Sequence, residues 1–126
     1  MTSDKPARVY KVLRPSEQKV LEQYGRFAGS EDDERDGFIH LSTREQLAGT
    51  LAKHFPGEDV HVLALETEAL GDALVFEKSR NDELFPHLYG AIVQAMTRET
   101  FHAPVVDGVH QMPALDMADA AAKSIE

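Results

Sequence analysis

"DGFIHLST", residues 36–43, is the stretch on which the reading of the fold turns. Phe38–Leu41 is a short apolar run interrupted by a single imidazole, and Ser42-Thr43 begins a helix-start pattern. Strand alternation puts Phe38 and His40 on one face and Ile39 and Leu41 on the other. If Ile39 and Leu41 hold the core, His40 looks into whatever covers the opposite face. A histidine so placed is either a core residue bonded to a backbone carbonyl or part of a site.

Working outward, "TREQLAGTLAKHFPG" (43–57) predicts a helix. Ser42…Glu45 and Thr43…Gln46 both satisfy the capping-box pattern, so Ser42 is expected to open the helix and lend His40 its N-terminal amides. Leu47, Leu51 and Phe55, with Ala48 and Ala52, form an apolar stripe, and Pro56-Gly57 ends it. "DVHVLALET" (59–67) is apolar on both faces, as a central strand is. A turn at Gly71-Asp72 leads to a short strand ending at Glu77; "RNDELFPHLYG" (80–90) reads as a loop. Residues 91–106 suit a strand or a helix, and the alanine-rich tail a terminal helix.

On the other side, "RVYKVL" (8–13) alternates Val9, Lys11 and Leu13 against Tyr10 and Val12, a strand. "PSEQKVLEQYG" (15–25) predicts a short helix with Ser16 as N-cap, Val20, Leu21 and Tyr24 on one side and Gly25 as the stop. "RFAGSEDDERDG" (26–37) reads as a long polar surface loop able to fold over the face of His40. This order describes an α+β domain around a split or bent, mostly antiparallel sheet with two or three helices. One domain over residues 1–126 is expected, with its core at about 8–113 and a C-terminal tail at 114–126.

Composition narrows the chemistry. The chain has no cysteine, so disulfides, thiolate metal sites and cysteine nucleophiles are excluded. It shows neither the apolar core of a signal peptide nor a run of about 20 apolar residues, and a soluble, cytoplasmic protein is expected. A formal net charge of −9 disfavours nucleic acid as a partner but leaves a local anion pocket open, since screening confines charge to about 10 Å. No Gly-rich phosphate loop occurs at a strand-to-helix turn.

The six histidines show no metal-binding spacing. His54 and His61 straddle a Pro-Gly break, and His102 and His110 lie in loop-like sequence, so no metal ligands are assigned. "FPHLYG" (85–90) is a second unusual stretch. Pro86 holds Phe85 extended, and His87 and Tyr89 alternate, so an imidazole and a phenol can point the same way, to bind a sugar hydroxyl and stack on a flat ring. Glu77 and Arg80 can add a carboxylate and a cation there. The plainer alternative is a rigid turn with two half-buried polar tips.

"VYKV", "DGFIHLST" and "E…FPHLYG", in that order, resemble the bacterial family known as domain of unknown function 952, over roughly residues 8 to 110. The resemblance implies a fold similar to that of ADP-ribosyltransferases, a split sheet whose cleft holds NAD. "FIHLS" and the following helix and strand also resemble a segment of tRNA 2′-phosphotransferases, which use NAD. By that likeness His40 is the active-site histidine, Ser42 its hydroxyl neighbour and Arg35 a weaker match to an upstream arginine. Those enzymes carry a His-Gly pair in the first strand, where this chain has "VYKVL".

The resemblance implies an NAD-utilising ADP-ribosyl- or phosphotransferase-like protein acting on a small substrate. His40, His87 and Glu77 would be catalytic, and Ser42, Tyr89, Arg80 and Arg35 would bind the NAD. A non-catalytic nucleotide or sugar-phosphate binding module and a histidine metal-binding protein are the alternatives. Oligomeric state is left open.

Overall fold

The computed structural model describes residues 6–79 and 82–111. It has α+β architecture in which all paired strands are antiparallel. In chain order the elements are β1 (Arg8–Leu13), α1 (Pro15–Tyr24), β2 (Arg26–Phe27), α2 (Glu31–Asp36), β3 (Ile39–His40), α3 (Arg44–His54), β4 (Val60–Glu66) and α4 (Thr67–Leu70). A 3-10 turn then leads to β5 (Leu74–Lys78), β6 (Leu84–Leu88), β7 (Ile92–Val93), β8 (Thr97–Ala103), β9 (Val105–Val106) and β10 (Val109–His110).

Two three-stranded sheets carry the architecture, ordered β1-β4-β8 and β3-β6-β5, with two-stranded pairs β2-β7 and β9-β10 beside them. β4 is central and buried on both faces, as its continuous apolar run requires. One face packs Val60, Val62 and Ala64 with Tyr10 and Val12 against Leu47 and Leu51 of α3. On the other, Leu63 and Leu65 with Val9 and Leu13 meet Leu21 of α1 and Ile39, Leu41, Leu74 and Leu88 from the second sheet.

The segment 39–42 joins the two sheets. His40 pairs with His87 of β6 in the second sheet. Two residues on, Ser42 exchanges both backbone hydrogen bonds with Tyr10 of β1 in the first, at 2.8 and 2.9 Å. Pro86 explains why the segment can leave. It sits in the middle strand of its sheet, where proline is rare because it cannot donate to the ladder. Its carbonyl accepts from the Leu41 amide at 3.0 Å, but it has no N–H to return. The β3 ladder stops there.

Several sequence expectations need correction. The charged stretch 26–37 is not a loop: it forms β2 and α2, with Ser30 as N-cap and Asp33 completing its capping box, so the helices number four among the described residues. Residues 84–88 form the central strand β6 rather than a loop. Helix α1 begins two residues earlier than expected, with Arg14 rather than Ser16 as N-cap and Pro15 in the first turn, which proline tolerates because that N–H is unpaired anyway. Ser16 is not the cap, and α1 buries Gln18 and Leu21 while Val20 and Tyr24 are exposed. Thr43 caps α3, so Ser42 does not open it. The ambiguous 91–106 region is mostly strand, with a 3-10 turn at Gln94–Met96 between β7 and β8, and His102 and His110 lie in β8 and β10. The tail at 114–126 lies outside the described residues.

Among the described residues, no helix is long and apolar enough to cross a membrane.

Candidate functional site

A cleft of about 360 Å³ opens beside the crossing segment, lined among others by Lys11, Asp33, Asp36, His40, Ser42 and His87. Its organising residue is Asp33, on the buried side of the short helix α2. Asp33 Oδ2 accepts from Lys11 Nζ at 2.8 Å and from the Ser30 amide at 2.9 Å. Its Oδ1 accepts from the His40 amide at 3.1 Å and faces His40 Nδ1 at 2.6 Å. Burial pushes this carboxyl upward, but the His40 hydrogen bond and the charge and hydrogen bond of Lys11 outweigh it and hold Asp33 well below the usual carboxylate range.

Lys11 lies on the core-facing side of β1 between Val9 and Leu13. A charge there requires a partner, and it has two: the Asp33 carboxylate and, at 3.1 Å, the His40 carbonyl. The main chain of His40 is therefore gripped at both its N–H and its C=O by side chains.

An ionised Asp33 accepts from Nδ1–H, which fixes that proton and leaves Nε2 toward the cleft. Nε2 faces Asp36 Oδ2 at 2.9 Å. The guanidinium of Arg35, chiefly by hydrogen bonding, lowers the Asp36 pKa. The two sides of the ring differ: Asp33 is 2% exposed, whereas Asp36 is 33% exposed.

His87 repeats the arrangement on the adjacent strand. Its Nδ1 lies 2.7 Å from Glu77 Oε1, which also accepts from the Tyr89 hydroxyl at 2.7 Å. Those two hydrogen bonds, His87 first, lower the Glu77 pKa, and the same carboxylate raises that of Tyr89. The His87 Nε2 makes no hydrogen bond to a described residue. The Phe38 ring stacks on His87 at 3.9 Å and tilts against His40 at 4.7 Å, while the two imidazoles meet edge-on at 5.8 Å.

The expected site residues thus largely converge. His40, Ser42, His87 and Arg35 line the cleft. Glu77 and Tyr89 do not; they brace His87 from its far side, with Tyr89 half exposed and its ring 5.5 Å from that of Phe38. The Ser42 hydroxyl is committed to Thr50 at 2.7 Å. Arg35 pairs with Asp32 and Asp36. Arg80 lies outside the described residues. Lys53, also on the cleft wall, makes no ion pair or hydrogen bond with a described residue.

Sequence reasoning missed Asp33, Asp36, Lys11 and Phe38 as parts of the site. Two signals were present: Ser30-x-x-Asp33 is a capping-box pattern inside the supposed loop, and Lys11 is a cation at a core-facing strand position. Among the described residues, no group of three or more His, Asp or Glu side chains is arranged to hold a metal ion.

The model of the family described as "Protein of unknown function (DUF952)" matches residues 12–99. The chain is similar to protein CC0527 from Caulobacter crescentus, whose crystal structure shares 38% sequence identity with a TM-score of 0.79, covering 91% of this chain and 98% of that one. The solution NMR structure of the same protein gives 38% identity and a TM-score of 0.77, over 87% and 97% of the two chains. Comparison with curated proteins gives no match.

Proposed function

This chain belongs to the family described as protein of unknown function DUF952, and on the chemistry of its cleft we propose that it is an ADP-ribosyltransferase-type protein that binds NAD and transfers the ADP-ribosyl group to a small acceptor. One observation carries the reading: two imidazoles lie side by side at 5.8 Å, and each has its Nδ1 fixed by a separate carboxylate. Each carboxylate sets the tautomer of its ring, which leaves His87 Nε2 to exchange protons, while His40 Nε2 faces Asp36 on the cleft wall.

In such a transfer the bond from ribose C1′ to the nicotinamide nitrogen breaks and its electron pair leaves with nicotinamide. The acceptor oxygen bonds to C1′, and its proton passes to an imidazole Nε2. His87 suits that proton transfer, since its Nε2 has no described partner. His40 and Ser42 suit the ribose or a phosphate. Glu77 supports the developing positive charge through His87 rather than by contact with the ribose. Tyr89, outside the cleft lining, offers a ring at its outer side for the nicotinamide. Lys53 and Arg35 are cleft-wall cations available to the diphosphate, a role the family resemblance also gives Arg80.

The ADP-ribosyltransferase-like fold and the likeness to tRNA 2′-phosphotransferases belong to this proposal; the two antiparallel sheets parted at residues 39–42 support it. The net charge of −9 favours a small acceptor over tRNA. A second reading, a non-catalytic nucleotide or sugar-phosphate binding module, draws support from His40, both of whose ring nitrogens face carboxylates.

Calorimetric titration with NAD and with ADP-ribose, on wild type and His40→Ala, tests the proposal. Binding lost in the variant, followed by release of free nicotinamide from NAD, is expected. Binding without nicotinamide release would move the reading to the non-catalytic module. No binding of either ligand to wild type would overturn the ADP-ribosyltransferase reading.

A further inference from the structure

The carboxylate of Asp36 is surrounded as a bound anion would be. Its Oδ1 accepts from Arg35 Nε at 2.9 Å; its Oδ2 accepts from Arg35 Nη2 at 3.2 Å and lies 2.9 Å from His40 Nε2. A guanidinium fork is a recurrent receptor for oxyanions, and His40 Nε2 adds a third donor when the imidazole carries a proton on both nitrogens. Here the fork is filled from within, on the wall of the cleft, since Arg35, Asp36 and His40 all line it.

The two carboxylates on His40 cannot be exchanged alike. Asp33 is buried, tied to Lys11, to the Ser30 amide and to both the amide and the ring of His40. Asp36 is solvent-accessible, is the last residue of α2, and among the described residues its carboxylate is held by Arg35 and His40 alone. Rotation of its side chain would vacate the fork without disturbing Asp33.

We propose that Asp36 is a stand-in for the ligand's anionic group: a phosphoryl group of the ligand displaces Asp36 and takes its place between Arg35 and His40 Nε2. A phosphoryl group presents three oxygens to donors that the carboxylate meets with two, which favours it over a carboxylate ligand. Asp36 then acts as a specificity residue, shielding the seat from weak anions and yielding to a ligand anchored elsewhere in the cleft. This rests on the reading of the cleft as a ligand site, but not on NAD being the ligand.

The test is an NMR titration of the full chain with inorganic phosphate, following the ring signals of His40 and His87, with acetate as a parallel arm. Removing a like charge at contact distance predicts phosphate binding on the order of tenfold tighter in Asp36→Asn, and at least as tight in Asp36→Ala. The His40 signals should move first, and adding His40→Ala should erase the gain. Glu34→Gln, the same charge change on an exposed position of the same helix, should leave binding unchanged within about twofold. Unchanged or weaker phosphate binding in both Asp36 variants would overturn the proposal, as would an equal gain in Glu34→Gln. A larger gain for acetate than for phosphate would overturn its phosphoryl specificity. If NAD fails to bind while phosphate behaves as expected, the ADP-ribosyl reading falls and this inference stands. The reverse pattern sinks the inference alone.

Discussion

Replacing Asp33 with asparagine tests whether one buried carboxylate holds both the fold and the site. Its two oxygens face four donors: Lys11 Nζ and the Ser30 amide on Oδ2, the His40 amide and ring on Oδ1. Asparagine can keep one carbonyl oxygen toward His40, but its NH2 group then meets the donors that Oδ2 received. Lys11, 7% exposed, is left as a buried ammonium with only the His40 carbonyl. Breaking a buried pair from one side costs about 3–5 kcal/mol, against total stabilities of about 5–15 kcal/mol. Asp33→Asn should therefore fold but unfold at much lower urea, as followed by circular dichroism. Lys11→Met in the Asp33→Asn background should recover about 2 kcal/mol by removing the unpaired ammonium, and the coupling is that gain plus the cost of Lys11→Met alone. The pH dependence has a definite sign. The folded carboxyl is held below its ordinary 3.8, so just below that value the unfolded chain binds the extra proton, and stability rises with pH there. The contribution is complete above 3.8 and is lost as pH falls through the lower folded value; Asp33→Asn should flatten that part of the profile. A loss under about 1 kcal/mol, or strictly additive single and double variants, would refute the reasoning.

Three further outcomes are expected. Tyr89 should titrate above the ordinary tyrosine value of 10.0, and Glu77→Gln should bring it down; a Tyr89 NMR titration unchanged by that substitution would remove Glu77 as the cause. Gly29 has φ +126, and an added Cβ would lie 2.9 Å from the Asp33 Cβ. Gly29→Ala should thus destabilise the fold by about 1–3 kcal/mol in urea and shift the His40 ring signals, and a silent Gly29→Ala would mean α2 does not fix Asp33. Ser42→Ala leaves the half-buried Thr50 hydroxyl without its Ser42 partner and should cost about 1 kcal/mol in urea unfolding, with His40 and His87 signals retained. Loss of those signals would show that Ser42 supports the site itself.

What the chain disclosed about itself follows from how local each signal is. β1, α3 and β4 were legible because alternation, capping box and apolar runs are written within each segment. His40 and His87 could be singled out from flanking residues, yet their pairing across β3 and β6 depends on strand register. The sequence of β6 reads as a loop because Pro86 and a charged approach resemble a turn; its neighbours on both sides make it a strand. The charge density of "SEDDERD" masked α2, whose stability comes from Asp33 reaching Lys11, 22 residues away in sequence. Asp36 and Phe38 joined the site for the same reason: their roles exist only after His40 is oriented.

The crossing at 39–42 also limits how this chain can vary in length. Four consecutive residues are read by two sheets and by α2 at once: Ile39 and His40 by β6, Leu41 by Pro86, Ser42 by Tyr10. Insertion or deletion of one residue here would exchange the two faces of the segment, driving the imidazole into the core and an isoleucine into the cleft. No compensating slip in one sheet could repair it, because the other would then be out of step. The turn between β9 and β10 carries no such double reading. Length changes should therefore be tolerated at that turn and excluded between Asp33 and Thr43.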